Sequence, residues 1–293
     1  MQLGILAKTN KSKGLDIMYK PGDFRSKECI ELLKEADIVC TNPPFSLFRQ
    51  YLAQLVEFNK KFLIIGNVNE IGCKEIFPLF KDNKIWLGYS CKTGKHYCGS
   101  AVEFCLSDNY IMESKNGRID ENGKKYVKFG STRWYTNLVV KYNQKPLNIK
   151  NNLYSPEKYP KYDNYDAINV DKVADIPCDY PGVMGVPLTF MDKFCPDQFE
   201  ILGITSGRNE FSRKAWPTKK YVNPIQHNKD GSTKNGSKVN DGAVIITKNP
   251  KGVHYTADNQ PNALNKIYTR ILIKNKHPED SKNQFFSTML KEG

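Results

Sequence analysis

Apolar residues fall in short blocks along this chain, and their spacing changes from block to block. Ile38-Val39-Cys40 and Phe62-Leu63-Ile64-Ile65 are unbroken runs of strand length. Runs of that kind are what strands covered on both faces require. Between them, Phe48 to Phe58 places its apolar residues at helical spacing. Upstream, Lys27 to Glu35 carries Ile30, Leu32 and Leu33 on an apolar side, and Ser26 stands where an N-cap belongs. Downstream, a helix around Glu75 to Phe80 is expected to lead into a strand from Lys84 to Tyr89. Residues 1–20 offer only Leu3-Gly4-Ile5-Leu6 and Leu15-Asp16-Ile17-Met18 as short strand candidates. Helices alternating with buried strands predict an α/β fold with a doubly wound, Rossmann-like parallel sheet.

From about residue 97 the pattern shifts. Ala101 to Leu106 and Tyr126 to Phe129 have the character of strands, on either side of the turn-rich segment Ser114 to Lys125. Thr132 to Leu138 then leads into Val139-Val140, so antiparallel strands are expected to complete one edge of the sheet. Residues 148–180, rich in Asn, Tyr, Pro and Asp, look like a wrapping segment. Short strands follow at Phe199 to Ile204, Ala243 to Thr247 and Tyr268 to Ile273. Among them Asn223 to Asn240 is polar and is expected to be a loop with little area to bury. The chain thus divides into residues 1–147, the α/β part, and residues 148–293, a mixed α+β region.

Charge adds a partner to this picture. Lys and Arg number 44 against 31 Asp and Glu, a net charge of +13 over 293 residues, and aromatics make up 12%. A folded, aromatic-rich, basic chain is suited to nucleic acid. Lys229, Lys234 and Lys238 in the polar stretch are candidates for neutralising DNA phosphates. There is no apolar run of membrane-spanning length, and no apolar core follows Lys8, Lys11 and Lys13. No membrane association is expected, and the location should be cytoplasmic. Eight cysteines without a C-x-x-C pair are expected to be reduced thiols. Cys91, His96, Cys98 and Cys105 cluster, but without the closely spaced pairs of structural zinc sites. No metal is expected.

The candidate chemistry lies at Asn42-Pro43-Pro44-Phe45, directly after the first apolar run. Two prolines fix their own φ angles and keep the preceding residue extended. The turn therefore displays an amide side chain, bare carbonyls and an aromatic face at the carboxyl end of a strand, the edge where open α/β sheets bind ligands. The Asn42 amide oxygen and the Pro43 carbonyl could each accept one N–H of an exocyclic amine on a nucleobase. That would localise the nitrogen lone pair toward an electrophilic methyl group, while Phe45 stacks on the base. A plain strand-end turn has the same residues, so the tetrapeptide alone leaves both readings open.

Further motifs narrow the choice. Gly22-Asp23-Phe24-Arg25-Ser26, Ala36 to Arg49 around Asn42-Pro43-Pro44-Phe45, Lys61 to Asn67, Ile85 to Gly88, Arg133 to Leu138, Gly185 to Lys193 and Gln198 to Gly203 appear in one order. In these the chain resembles the EcoRI-type adenine-specific DNA methyltransferases, from about residue 21 onward. The resemblance implies methyl transfer from S-adenosylmethionine to adenine N6 in a specific duplex DNA sequence, as in restriction-modification, with the base flipped out of the helix. It implies that Asn42, Pro43, Pro44 and Phe45 form the adenine pocket, and that Asp23 and Phe24 contact the cofactor. Trp134 or Tyr135 would stack on the target base. Residues 1–147 would be a partial catalytic domain and residues 148–293 the target-recognition region.

One element of such sheets has no counterpart. Only 41 residues precede Asn42, whereas each β-α-β unit takes roughly 30 residues, and no Phe-x-Gly-x-Gly occurs. The sheet is expected to lack its N-terminal segment, with the first strand and glycine-rich cofactor loop. A monomer is expected, with a complementary N-terminal segment as a further need. The alternative is a non-catalytic DNA-binding remnant without a complete cofactor site. A third reading is methylation of a different amine, guanine N2 in RNA or a protein glutamine.

Overall fold

The computed structural model describes residues 19–20, 22–88, 101–109, 117–139, 146–149, 152–206 and 219–278. The early strand candidates of residues 1–18 lie outside them. The chain divides into two compact units, residues 1–70 with 78–141 and residues 71–77 with 142–293.

In the first unit, α1 (Lys27–Glu35) leads to β1 (Ile38–Thr41), α2 (Phe48–Glu57) and β2 (Lys61–Asn67). A short α3 (Phe77–Lys81), β3 (Trp86–Leu87), β4 (Ala101–Cys105), β5 (Gly117–Ile119) and β6 (Lys125–Thr136) follow. The strand order is β1-β2-β6-β3, with β4 and β5 also paired to β6. Among the described strands of this sheet, β1 and β2 are the one parallel pair, and β6 runs antiparallel to all its partners. The sheet is mixed rather than uniformly parallel because β6 runs antiparallel to β2, β3, β4 and β5.

β6 differs most from the sequence expectation. Tyr126 to Phe129 and Thr132 to Thr136 are not two strands but one strand of 12 residues. Its first half holds β4 and β5, and its last residues, Thr132–Thr136, lie along β2. Asn137 locks this junction, its amide accepting from Phe62 N at 2.9 Å and donating to Lys60 O at 2.8 Å. Thr136 Oγ1 donates to Phe62 O.

The core forms where β2 and β6 meet α2. Phe48, Leu52 and Leu55 of α2 and Phe62 and Ile64 of β2 are all buried. Gly66 is needed for this packing. A Cβ there would stand 2.5 Å from the Phe48 ring and 2.8 Å from Tyr135. On α1, Leu33 is buried as expected, but Leu32 is 61% exposed. The apolar side of this helix is narrower than its composition implies.

The second unit contains β7 (Ile168–Asn169), β8 (Val183–Pro187), β9 (Phe199–Ile204), β10 (Ile225–His227), β11 (Thr233–Asn235), β12 (Val244–Thr247), β13 (His254–Ala257), β14 (Gln260–Lys266) and β15 (Arg270–Asn275). One sheet has the order β7-β8-β15-β9 and the other β11-β10-β13-β14-β12. Residues 152–180, irregular as expected, are anchored by side chains. Buried Tyr162 and Tyr165 pack with Ala243 and Leu272, and Asn164 bridges Gly242 O and Val244 N. The polar stretch Asn223 to Asn240 corrects the sequence reading. It is the hairpin β10–β11, paired along β13, followed by a 3-10 turn at Ser237–Asp241.

Candidate active site

Two turns in the first unit face a common cleft. The first starts at Gly22, whose φ of +87° is in the left-handed region open to glycine. Asp23 N donates to Lys20 O, and Ser26 N to Asp23 O. Ser26 Oγ then accepts from Cys29 N at 3.2 Å, the expected N-cap of α1. Arg25 grips the Asp23 carboxylate with its backbone N and Nε on Oδ1, each at 2.9 Å, and Nη2 on Oδ2 at 2.8 Å. These hydrogen bonds hold the Asp23 carboxyl well below the usual range, at about 2. Phe24 meets the ring of Tyr51 edge-on with centroids 5.0 Å apart, and its carbonyl accepts from Gln54 Nε2 at 3.1 Å.

The second turn is Asn42-Pro43-Pro44-Phe45, at the carboxyl end of β1. Pro43 is buried, while Asn42 and Pro44 are exposed. Leu47 N donates to Pro44 O at 2.9 Å, closing a 3-10 turn over Phe45–Leu47 that runs straight into α2. Proline supplies no N–H and fixes φ, so the chain turns sharply at the strand end before helix can begin. Among the described residues no hydrogen bond is donated to the Asn42 amide or the Pro43 carbonyl. Phe45 beside them is 46% exposed.

The cleft has a volume of about 620 Å³ and is lined by Asp23 and Phe24 from one turn and Asn42, Pro43 and Pro44 from the other. Leu33, Val39 and Leu47 give it apolar walls, with Tyr51 and Gln54 on the α2 side. Its size suits a nucleoside-like ligand. Asp23 is the one charged side chain among the described lining residues. With acceptors along apolar walls and an Asp23 carboxylate already paired with Arg25, the cleft favours a ligand that brings N–H donors on an apolar or aromatic body.

The structure thus brings five of the sequence-predicted residues into one cavity, with Phe45 adjoining. Tyr51 and Gln54 were missed. Their spacing on α2 puts both on the face toward Phe24, a signal visible only once the Gly22–Arg25 turn is known to approach that helix.

The remaining candidates are placed elsewhere. Tyr135 is fully buried, its ring edge-on to Phe48 and Phe80 and its hydroxyl donating to Asn67 O at 2.7 Å. It is a core residue with no face open to a base, which corrects its candidacy for stacking. Trp134, its neighbour on the opposite face of β6, is half-buried. Neither lines the cleft. Lys229, Lys234 and Lys238 are exposed in the second unit, on or beside the β10–β11 hairpin. Cys91, His96 and Cys98 lie outside the described residues, and Cys105 is exposed. Among the described residues there is no cluster of three metal-ligating side chains and no helix long and apolar enough to cross a membrane.

In this α/β chain the ligand-sized cleft lies at the carboxyl end of a parallel strand pair, the edge where open α/β sheets bind ligands. The profile of one family, described as adenine-specific methyltransferase EcoRI, matches residues 7–276, and the chain belongs to that family. It is 51% identical over 190 residues to the type II methyltransferase M.EcoRI of Escherichia coli, a match covering 64% of this chain and 56% of that protein. It is 41% identical over 187 residues to the type II methyltransferase M.MgeORF184P of Mycoplasma genitalium, and 42% identical over 186 residues to M.MpnI of Mycoplasma pneumoniae. Each of these two matches covers 62% of this chain and 56% of the relative. The chain thus spans little more than half the length of the curated relatives it matches. No solved structure matches it.

Proposed function

We propose that this chain carries out the methyl-transfer chemistry of a type II modification enzyme, methylating N6 of an adenine flipped out of a specific duplex DNA sequence. The observation that carries this reading is the shared cleft. Its lining includes Asn42 and Pro43 together with Asp23 and Phe24, and neither the Asn42 amide nor the Pro43 carbonyl accepts a hydrogen bond among the described residues. In this reading β1 and β2 belong to a Rossmann-like methyltransferase sheet in residues 1–147, and residues 148–293 form the target-recognition region. The protein would work in the cytoplasm as a monomer on DNA.

S-adenosylmethionine, when bound, supplies an electrophilic methyl group. The cleft fits it, because apolar walls, the Phe24 ring and the acceptors of Asp23 and Asn42 suit a ligand with an aromatic base that carries N–H donors. Phe24 would flank that base and Asp23 would accept from its donors. Asn42 Oδ1 and the Pro43 carbonyl would each accept one N–H of the adenine amine. An amine held by two acceptors loses conjugation with its ring and aims its lone pair away from them. Pro43 and Pro44 keep both acceptors fixed, so little reorganisation is needed as positive charge develops on nitrogen. Phe45 would cover one face of the flipped base. No side chain has to act as a strong base while the bond forms. Lys229, Lys234 and Lys238 would neutralise phosphates.

The test is transfer of label from S-adenosylmethionine to unmethylated duplex DNA, with product identified after digestion to nucleosides. N6-methyladenine is the expected product. Asn42→Ala is expected to lower the rate about 100- to 1,000-fold, the usual cost of removing one preorganised transition-state contact, while DNA affinity stays unchanged. Label on guanine or on protein, or a fully active Asn42→Ala, refutes the assignment.

A further inference from the structure

The five-stranded sheet of the second unit has an inner face of buried Gln226, Tyr255 and Leu264, with Tyr255 Oη donating to Gln226 Oε1. Alternation then puts Ile225, His227, His254 and Thr256 on its outer face. His227 and His254 are directly opposed across β10 and β13. Their rings stack 4.8 Å apart at 5° to one another. An imidazole pair stacked flat on a half-exposed sheet face contributes little to a core, and its surroundings are cationic. Lys229, in the β10–β11 turn, runs past Gly252, its Cε 3.2 Å from where a Cβ would stand. Lys229 and Lys251 therefore reach the same end of the sheet as the imidazoles, and both are exposed. Residues 219–278 carry eleven Lys and Arg against three Asp and no Glu, a net of +8 within the chain's +13.

We infer that this face, with the β10–β11 hairpin at its edge, enters the major groove of duplex DNA, with His254 contacting a base edge and Lys229 and Lys251 the flanking phosphates. His254 Nδ1 is 3.1 Å from Gly252 O. A carbonyl only accepts, so Nδ1 carries the proton. The tautomer with its proton on Nδ1 presents Nε2 as an acceptor, and Nε2 is unengaged among the described residues. Major-groove donors are the exocyclic amines of adenine and cytosine, so His254 reads one of these. His227 Nε2 is already engaged with Thr256 Oγ1 at 2.9 Å, so His227 serves as the stacked support that fixes the His254 ring. The major groove of B-form DNA admits a two-stranded β-ribbon, whereas that of A-form RNA is too narrow for side chains to read. The face therefore commits to DNA. This inference deepens the reading above by naming where the recognition region touches its target.

The full chain would be used to select binders from a random duplex pool, and its affinity for the selected duplex and for an RNA duplex of the same sequence measured against salt. Lys229→Gln with Lys251→Gln is expected to weaken DNA binding about tenfold and to lower the log–log salt slope by about 2, roughly one per lost phosphate contact. His254→Ala is expected to erase a preference of about five- to 100-fold for adenine or cytosine at one position, with the salt slope unchanged. His254→Gln, which keeps an acceptor, should restore part of that preference. Folded variants with unaltered slope and sequence preference overturn the inference. So does a wild-type chain that shows no sequence preference, or that favours the RNA duplex. Binding of S-adenosylmethionine by the same samples separates the two readings. A chain that binds DNA through this face but holds no cofactor refutes the enzyme reading and leaves this one standing.

Discussion

Asp23 shows how much one local contact decides. Its carboxylate is held by Arg25 through three hydrogen bonds and stays ionised far into the acid range, with a pKa of about 2. A folded value below the unfolded one near 4 means that its contribution is present in full above about pH 4. It is lost as the pH falls from there toward 2. A carbon-13 titration of the Asp23 carboxyl should show this low midpoint, and Arg25→Gln should raise it toward the ordinary aspartate value. Gly66 is a second decisive position. Gly66→Ala would drive a methyl into the Phe48 and Tyr135 rings, and a loss of about 1–3 kcal/mol in denaturant unfolding is expected from such overpacking. The sequence made Asn42 to Phe45 legible because the turn and its chemistry lie within one tetrapeptide. It could not separate Trp134 from Tyr135. Adjacent strand residues point to opposite faces, and which face is buried depends on Phe48 and Phe80, far away in the chain.

Elements whose signals are local were legible to the residue. Ser26, followed by Lys27 to Glu35, specifies α1 by its own cap, and Ser26→Ala should cost about 1 kcal/mol in thermal or denaturant unfolding. The run Lys61 to Asn67 likewise became β2 without alteration. The sequence pattern separates Tyr126 to Phe129 from Thr132 to Leu138, yet Gly130 and Ser131 between them lie within the continuous strand β6. Its continuity is set by pairing to strands on either side, which no local pattern encodes. The β10–β11 hairpin was missed for a different reason. Its strands are short and almost wholly polar, because one face looks to solvent and the other buries an amide, Gln226. Asp230-Gly231 was the available clue, a pair that favours tight hairpin turns.

At the scale of the whole molecule, charge is distributed more unevenly than composition alone conveys. The concentration of lysines in residues 219–278 would make the proposed association with DNA an electrostatic process dominated by counterion release. Affinity of the intact chain for duplex DNA should fall steeply between low and physiological salt. Lys234→Gln should flatten the log–log slope by about 1, as measured by fluorescence anisotropy across a salt series. The cleft, by contrast, has Asp23 as its one charged side chain among the described lining residues. Binding of S-adenosylmethionine should accordingly depend only weakly on salt. The two dependences, measured on one preparation, separate ligand capture in the first unit from backbone contact in the second.

The central position of β6 also bears on how the protein is made. When β2 leaves the ribosome, one of its edges can pair with β1 while the other is still bare. The strand that covers the other edge of β2 ends only at Thr136. At typical synthesis rates, between roughly 5 and 20 residues per second, that leaves an interval on the order of ten seconds. During this interval Phe62 and Ile64 have no finished sheet to enter. Nascent chains stalled before Thr136 should therefore be captured by chaperones, and chains stalled well beyond it should be released.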